Sequence, residues 1–150
     1  MSEEHWLIPF KHNTETRLQA LQWKILHGIY PTGTLLTKMK LRDNDICQFC
    51  NSVDTMQHFF YDCPLSRKVW EEIERKIETL CNKYIHLSAK NVIIGIEQGD
   101  YKGKDILKII NIMILIGKHA ISKAKYHKNR NVMVVLDQEF NMRKSINRWL

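Results

Sequence analysis

Three cysteines and one histidine are the most constraining feature of the sequence, with the spacing Cys47-x2-Cys50-x7-His58-x4-Cys63. Thiolates and imidazoles bind Zn²⁺ in tetrahedral sites, and a Cys-x-x-Cys turn places two sulfurs on one side of the ion. His58 and Cys63 can close the other side, because the intervening segment is long enough to fold back. The spacing therefore predicts one zinc ion with four protein ligands, which leaves no position for water and is typical of a structural site.

Two other interpretations of these cysteines stay open at this point. A redox pair would use Cys47 and Cys50, but such pairs normally lie in a thioredoxin-like strand-to-helix context, which this segment lacks. Alternatively, the cysteines are buried thiols without metal, and His58 is incidental. Cys81 lies on a predicted helix far along the chain, and we expect it to be a core thiol.

Apolar residues recur at helical spacing through most of the chain. This periodicity predicts helices over residues 14–29, 34–40, 106–127 and 132–149, and a further long helix after Cys63, with Pro64 in its first turn. The expected caps are Asn13 or Thr14, Thr34, Asp105 and Asn131. The short apolar run 92–96 predicts a strand or an extended packing loop.

The predicted fold class is mainly α, with four or five helices and an inserted CCHC zinc knuckle. We expect an N-terminal extension over residues 1–13 and helices with the knuckle over residues 14–90, with the ligands within 47–63. A C-terminal helical part, residues 91–150, should pack on the same core.

The chain carries a net charge of +7, and this charge is segregated. Six basic residues and one acidic residue give +5 over residues 11–42, and eight basic and two acidic residues give +6 over residues 117–150. Between them, the four aspartates of residues 43–63 give −4. Basic flanks of this kind favour a polyanionic partner such as nucleic acid, although a solvated helical surface explains them as well.

No apolar run approaches the roughly 18 residues that a membrane-spanning helix needs, so we expect no membrane partner. The chain begins Met-Ser-Glu-Glu, without a basic or apolar leader. We therefore expect an intracellular protein, in the nucleus and cytoplasm, with reduced or metal-bound cysteines.

Several segments together resemble the zinc-binding C-terminal segment of non-LTR (LINE-type) retrotransposon reverse transcriptases. The similarity covers most of residues 17–130 and is carried by Leu21-Gln22-Trp23-Lys24-Ile25-Leu26-His27-Gly28, Cys47-Gln48-Phe49-Cys50, His58-Phe59-Phe60-Tyr61-Asp62-Cys63-Pro64 and Val69-Trp70. The seven-residue gap before His58 departs from the four-residue gap of a retroviral nucleocapsid knuckle. That knuckle's mode of reading bases should therefore not be assumed here.

The resemblance implies that the chain helps to bind template RNA or target DNA during target-primed reverse transcription, without strong sequence specificity. It also implies the remainder of a parent reverse transcriptase as a partner. We expect no catalysis by this chain, because the paired aspartates of a polymerase Tyr-x-Asp-Asp motif, an endonuclease motif and the common hydrolase and nucleotide-binding motifs are absent.

The basic flanks supply the candidate phosphate contacts, since lysine and arginine neutralise phosphates without reading sequence. These candidates are Lys24, Lys38, Lys40, Arg42, Lys118, Lys123, Lys125, Lys128 and Arg130. The aromatic residues near the ligands in sequence are better explained as a small packing core than as a stacking platform. An alternative function is a zinc-stapled helical interaction module, either a docking domain or a host-retained retroelement fragment, without direct nucleic-acid binding.

Overall fold

The computed structural model describes residues 15–96, 104–127 and 131–143 of the 150-residue chain. Within these ranges the fold is mainly helical, as predicted. The α-helices are α1 (Thr16–Leu26), α2 (Gly33–Lys38), α3 (Pro64–Cys81), α4 (Ala89–Ile94), α5 (Lys104–Tyr126) and α6 (Val132–Met142). A short π-helix, His58–Asp62, precedes α3. None of the described helices is long and apolar enough to cross a membrane.

Helix α5 is the centre of the core and contacts α1, α3, α6 and the π-helix. Its side chains are buried nearly all round, because apolar residues occupy several faces of its first half. The fully buried large apolar side chains of α5 are Ile110, Met113, Ile114, Ile116 and Ile121.

Helix α3 crosses α5 closely at Gly117. A Cβ atom there would lie 2.5 Å from Ile73 Cδ1 and 2.8 Å from Trp70 Cζ3, so only glycine leaves room for these side chains. The π-helix packs against both α3 and α5. The segment that carries the candidate metal ligands is therefore supported by the same core.

Several local predictions are wrong. Residues 92–94 belong to helix α4, and Gly95 and Ile96 after it have no regular secondary structure. The reason is a capping box, in which Ser88 Oγ accepts from Asn91 N (3.2 Å) and Asn91 Oδ1 accepts from Ser88 N (3.1 Å).

The predicted cap of α2 is also wrong. Thr34 lies inside the helix and Thr32 is the N-cap, without a side-chain cap bond. The N–H of Gly33 instead donates to Asp54 Oδ2 at 2.9 Å, so a residue of the knuckle caps this helix.

The other helix ends agree with the sequence only in part. Asn131 caps α6 as predicted, with its Oδ1 accepting from Val134 N at 3.3 Å. The predicted extent of this helix to residue 149 is wrong, because it ends at Met142 with Arg143 as its C-cap, and residues 144–149 fall outside the described residues. The predicted caps Asn13 and Thr14 are wrong as well, because Glu15 is the N-cap of α1. Helix α5 begins at Lys104, one residue before its predicted cap.

Candidate metal centre

The four predicted ligands lie together, and their ligand atoms are all within 4.8 Å of one another. Cys47 Sγ lies 4.0 Å from Cys63 Sγ, and Cys50 Sγ lies 3.1 Å from His58 Nε2. Zn–S bonds of about 2.3 Å at tetrahedral angles separate two sulfurs by about 3.8 Å. The spacing and the chemistry of this donor set therefore fit one zinc ion.

A tight hairpin positions the first two ligands. An antiparallel bridge joins Ile46 and Val53, and Cys47 N donates to Ser52 O at 2.6 Å. Asn51 takes a left-handed conformation (φ 62°) at the turn. The N–H of Phe49 points at Cys47 Sγ, 3.5 Å away, which favours the thiolate form.

The π-helix positions the other two ligands. Its wide turn is closed by a hydrogen bond from Cys63 N to His58 O, 2.9 Å long, between residues five apart. His58 begins the π-helix, and Cys63 is the N-cap residue of α3.

Protonation of the ligands also reflects their surroundings. Burial raises the pKa of Cys47 to about 11 in the absence of metal. Burial also acts to raise the pKa of Cys50, but hydrogen bonds from the backbone and hydroxyl of Ser52 outweigh it, and the pKa is lowered. Burial, followed by the charge of Lys125, lowers the pKa of His58, which favours the neutral imidazole that binds metal.

Lys125 lies beside this centre, buried at the end of α5. Its Nζ donates to Phe59 O at 2.9 Å and lies 4.4 Å from the centre of the Phe59 ring. Three thiolates, a neutral imidazole and Zn²⁺ together carry one negative charge, which a nearby ammonium group balances. The prediction that Lys125 contacts phosphate is therefore corrected, because its side chain is buried and its ammonium group already donates to Phe59 O.

Lys118 requires the same correction. It is 1% exposed, and its Nζ donates to Gln22 Oε1 and, at 3.3 Å, to Ile93 O. Its ammonium group is enclosed by α1 and α4 and is not available to a phosphate at the surface.

Some of the other predicted basic residues make contacts within the fold, and others are exposed to solvent. Lys123 pairs with the buried Glu139 (3.0 Å), and Arg42 donates to Ile46 O and lies 3.8 Å from Asp54 Oδ2. The exposed candidates with described positions are Lys24, Lys38 and Lys40. Lys128 and Arg130 lie outside the described residues.

Asp54 is a site residue that the sequence interpretation misses, because its only role there is as one of the four aspartates that give residues 43–63 their negative charge. It is buried, and besides accepting from Gly33 N it offers its backbone oxygen to Thr34 N at 3.1 Å. It therefore joins the hairpin to α2. The available signal was its position next to the ligands, but its partner lies 21 residues earlier in the chain.

The expected aromatic packing core is present beneath the ligands. Phe59, Phe60, Tyr61 and Trp70 are buried, and Trp70 Nε1 donates to Phe60 O at 2.6 Å. Trp23 is an exception, since it is 43% exposed and stacks on His27 with ring centres 4.0 Å apart. The buried rings hold the π-helix against α3, and so fix two ligands.

Comparison with known proteins agrees with this geometry. Residues 2–70 match the family model described as zinc-binding in reverse transcriptase. No curated protein and no solved structure matches the chain. The matched segment contains all four candidate ligands and ends within α3, which confirms the prediction of one structural zinc. Residues 2–70 are therefore similar to the zinc-binding segments found in reverse transcriptases.

Proposed function

We propose that this chain is a nucleic-acid-binding accessory domain of a non-LTR retrotransposon reverse transcriptase. In this proposal it holds template RNA or target DNA for the parent enzyme during target-primed reverse transcription and performs no chemistry itself. The observation that carries the proposal is the cluster of three cysteines and one histidine within a segment that matches the reverse-transcriptase zinc-binding family. All four metal positions are filled by protein, which suits a structural zinc rather than a catalytic one.

The charge of the chain supports a polyanionic partner. The net charge is +7, and the exposed lysines at 24, 38 and 40 precede the metal centre in sequence. Contacts of this kind act on phosphates and carry little base specificity. We therefore propose binding to RNA or DNA that depends weakly on sequence.

A second candidate function is a docking module that joins parts of the parent protein through the zinc-stapled helices. The observation that favours it is the engagement of Lys118, Lys123, Lys125 and Arg42 within the fold, which leaves fewer cations for phosphate than the sequence predicts. Both candidates give zinc the same structural role.

Binding of labelled RNA and DNA at two salt concentrations separates the two candidates. Counterion release should give a slope of roughly −0.7 to −0.9 in log affinity against log salt for each phosphate neutralised. Replacing Lys24, Lys38 and Lys40 together by Gln should weaken binding to all sequences and reduce this slope. A matched triple change of exposed lysines, Lys68, Lys83 and Lys90 to Gln, removes the same charge elsewhere and should have less effect.

Absence of binding at low salt would contradict the proposed function and favour the docking module. An equal loss from both triple variants would mean that only overall charge matters. In that case, the lysines before the metal centre would not form the binding surface.

A further inference from the structure

A cleft of ≈ 230 Å³ lies between the metal-binding hairpin and the end of α5. Phe49 lines it from the hairpin and Tyr126 lines it from α5, and the ring centre of Phe59, which also lines it, lies 6.0 Å from that of Tyr126. Tyr126 is 49% exposed, and its hydroxyl donates to Pro31 O, which fixes the ring at the mouth of the cleft. The cleft therefore presents aromatic rings in fixed positions to solvent.

The two cationic side chains that line the cleft already contact other groups of the protein. Arg42 lies beside Asp54 and donates to Ile46 O, and Lys125 donates to Phe59 O. A phosphate would have to compete with these partners. Lys125 Nζ lies 5.9 Å from the centre of the Phe49 ring and covers the buried Phe59 ring. The features left for a ligand are the exposed ring of Tyr126, the half-buried ring of Phe49 and the exposed amide of Gln48, which suit a neutral planar group with polar edges.

The size of the cleft limits that group further. Sites for drug-sized ligands are typically about 300–1,000 Å³, so this cleft suits a smaller ligand such as a single base. A base within a duplex is stacked and paired, and cannot enter. Aromatic side chains that stack on unpaired bases are a common means of holding single strands.

We propose that this cleft, here called the base cleft, receives one unstacked nucleobase between Phe49 and Tyr126. The inference rests on the proposed function and deepens it, because it gives the chain a preference for single-stranded over duplex nucleic acid. Phosphates on either side of the base would contact exposed lysines outside the cleft. Phe49 lies between ligands Cys47 and Cys50, so the metal holds one wall of the cleft in place.

The test uses the full zinc-loaded chain and a single-stranded RNA of about 12 nucleotides, within the usual site sizes of about 4–16. The same sequence as a blunt duplex is the comparison. We expect the single strand to bind about tenfold more tightly at equal salt, and Phe49→Leu to remove most of that difference. Photo-crosslinking of a single 4-thiouridine in the strand should label peptides that contain Phe49 or Tyr126.

Leucine keeps apolar volume at position 49, and zinc content measured for each variant shows that the metal centre is intact. The matched control is Trp23→Leu, which removes an exposed aromatic ring outside the cleft and should leave the preference unchanged. A Tyr126→Leu variant tests the opposite wall and should reduce the preference as Phe49→Leu does.

The outcomes separate this inference from the proposed function. If zinc-loaded Phe49→Leu and Tyr126→Leu bind the single strand as tightly as the unchanged chain, the base cleft is wrong, while salt-dependent binding still supports the proposed function. Equal affinity of the unchanged chain for strand and duplex would also overturn the cleft alone. If the unchanged chain binds no nucleic acid at low salt, both proposals fail.

Discussion

At the scale of single residues, Lys125 links the metal centre to the central helix. Its ammonium group balances the net negative charge of zinc bound by three thiolates, and it also fixes the Phe59 carbonyl. We expect Lys125→Met to weaken zinc affinity about ten- to a hundredfold, which is the usual effect of losing an outer partner of a metal site. Competition with a chromophoric chelator measures this affinity.

The matched control for this change is Lys108→Met, an exposed lysine on the same helix. It removes the same charge from α5 without touching the metal centre and should leave zinc affinity unchanged. If both variants bound zinc equally well, Lys125 would be only a packing residue.

Lys118 is the second residue whose substitution should have a measurable effect, in this case on how stability depends on pH. Burial lowers its pKa from 10.5 to about 7. The unfolded chain therefore binds more protons than the folded chain between about pH 7 and pH 10.4, and stability contributed by this residue must rise with pH across that window. Relative to Lys118→Met, the unchanged chain should gain stability as pH rises from 7 to 10.

Denaturant unfolding of both proteins at several pH values tests this. The control Lys108→Met should show a constant stability difference from the unchanged chain over the same range. A constant difference for Lys118→Met as well would mean that its amine keeps its ordinary pKa in the folded state.

At the scale of elements, the buried carboxylate of Glu139 joins α6 to α5 and to the start of α1. It accepts from Lys123 Nζ at 3.0 Å and from Arg143 Nη1 at 2.7 Å, and Arg143 also pairs with Glu15. Glu139→Gln leaves these cations without their buried partner, which should cost about 3–5 kcal/mol of unfolding free energy. Thermal or denaturant unfolding measures the loss, and Asp137→Asn on the exposed face of α6 is the control.

The same carboxylate gives an expected response to acid. Burial acts to raise the pKa of Glu139, but hydrogen bonds from Arg143 and Lys123 outweigh it, and the pKa is lowered. The stability that this ion pair supplies is present above the unfolded carboxyl pKa and is lost as pH falls through the folded value. Glu139→Gln should therefore lose less stability on acidification than the unchanged chain, whereas Asp137→Asn should resemble it.

The elements differ in how far the sequence predicts them. Helices α3 and α5 follow from long apolar stripes and Pro64, and the metal centre follows from ligand spacing, because both signals are local. The five-residue apolar run at 92–96 is ambiguous between helix and strand, and only the Ser88–Asn91 pair could have indicated α4.

The burial of Lys118 and Lys125 could not be predicted in this way. These residues lie on the basic half of α5, where composition suggests a solvated surface. Which face becomes buried depends on α1, α4 and the π-helix, whose sequences are distant. The candidate phosphate contacts were therefore less predictable than the metal ligands.

At the scale of the whole molecule, the metal centre and the helical core should respond differently to loss of zinc. Chelation should expose residues 42–65 to hydrogen exchange and loosen the end of α5 near Lys125. The middle of α5, from Ile110 to Ile116, is buried against other helices and should stay protected. Mass-resolved hydrogen exchange with and without chelator measures this, and Cys81→Ser, outside the cluster, should bind zinc normally.

Protection lost uniformly along the chain would contradict this division. It would mean that the helical core does not persist without the metal, as in small zinc domains that are unfolded when the ion is removed.

The π-helix constrains the number of residues between His58 and Cys63 in evolution. Cys63 is both a candidate ligand and the residue from which α3 starts, and one hydrogen bond sets its distance from His58. Adding or deleting one residue between them would turn the apolar stripe of α3 by about 100° relative to the ligands, since a helix has 3.6 residues per turn. The length of this segment therefore cannot change in evolution without separating the ion from the core.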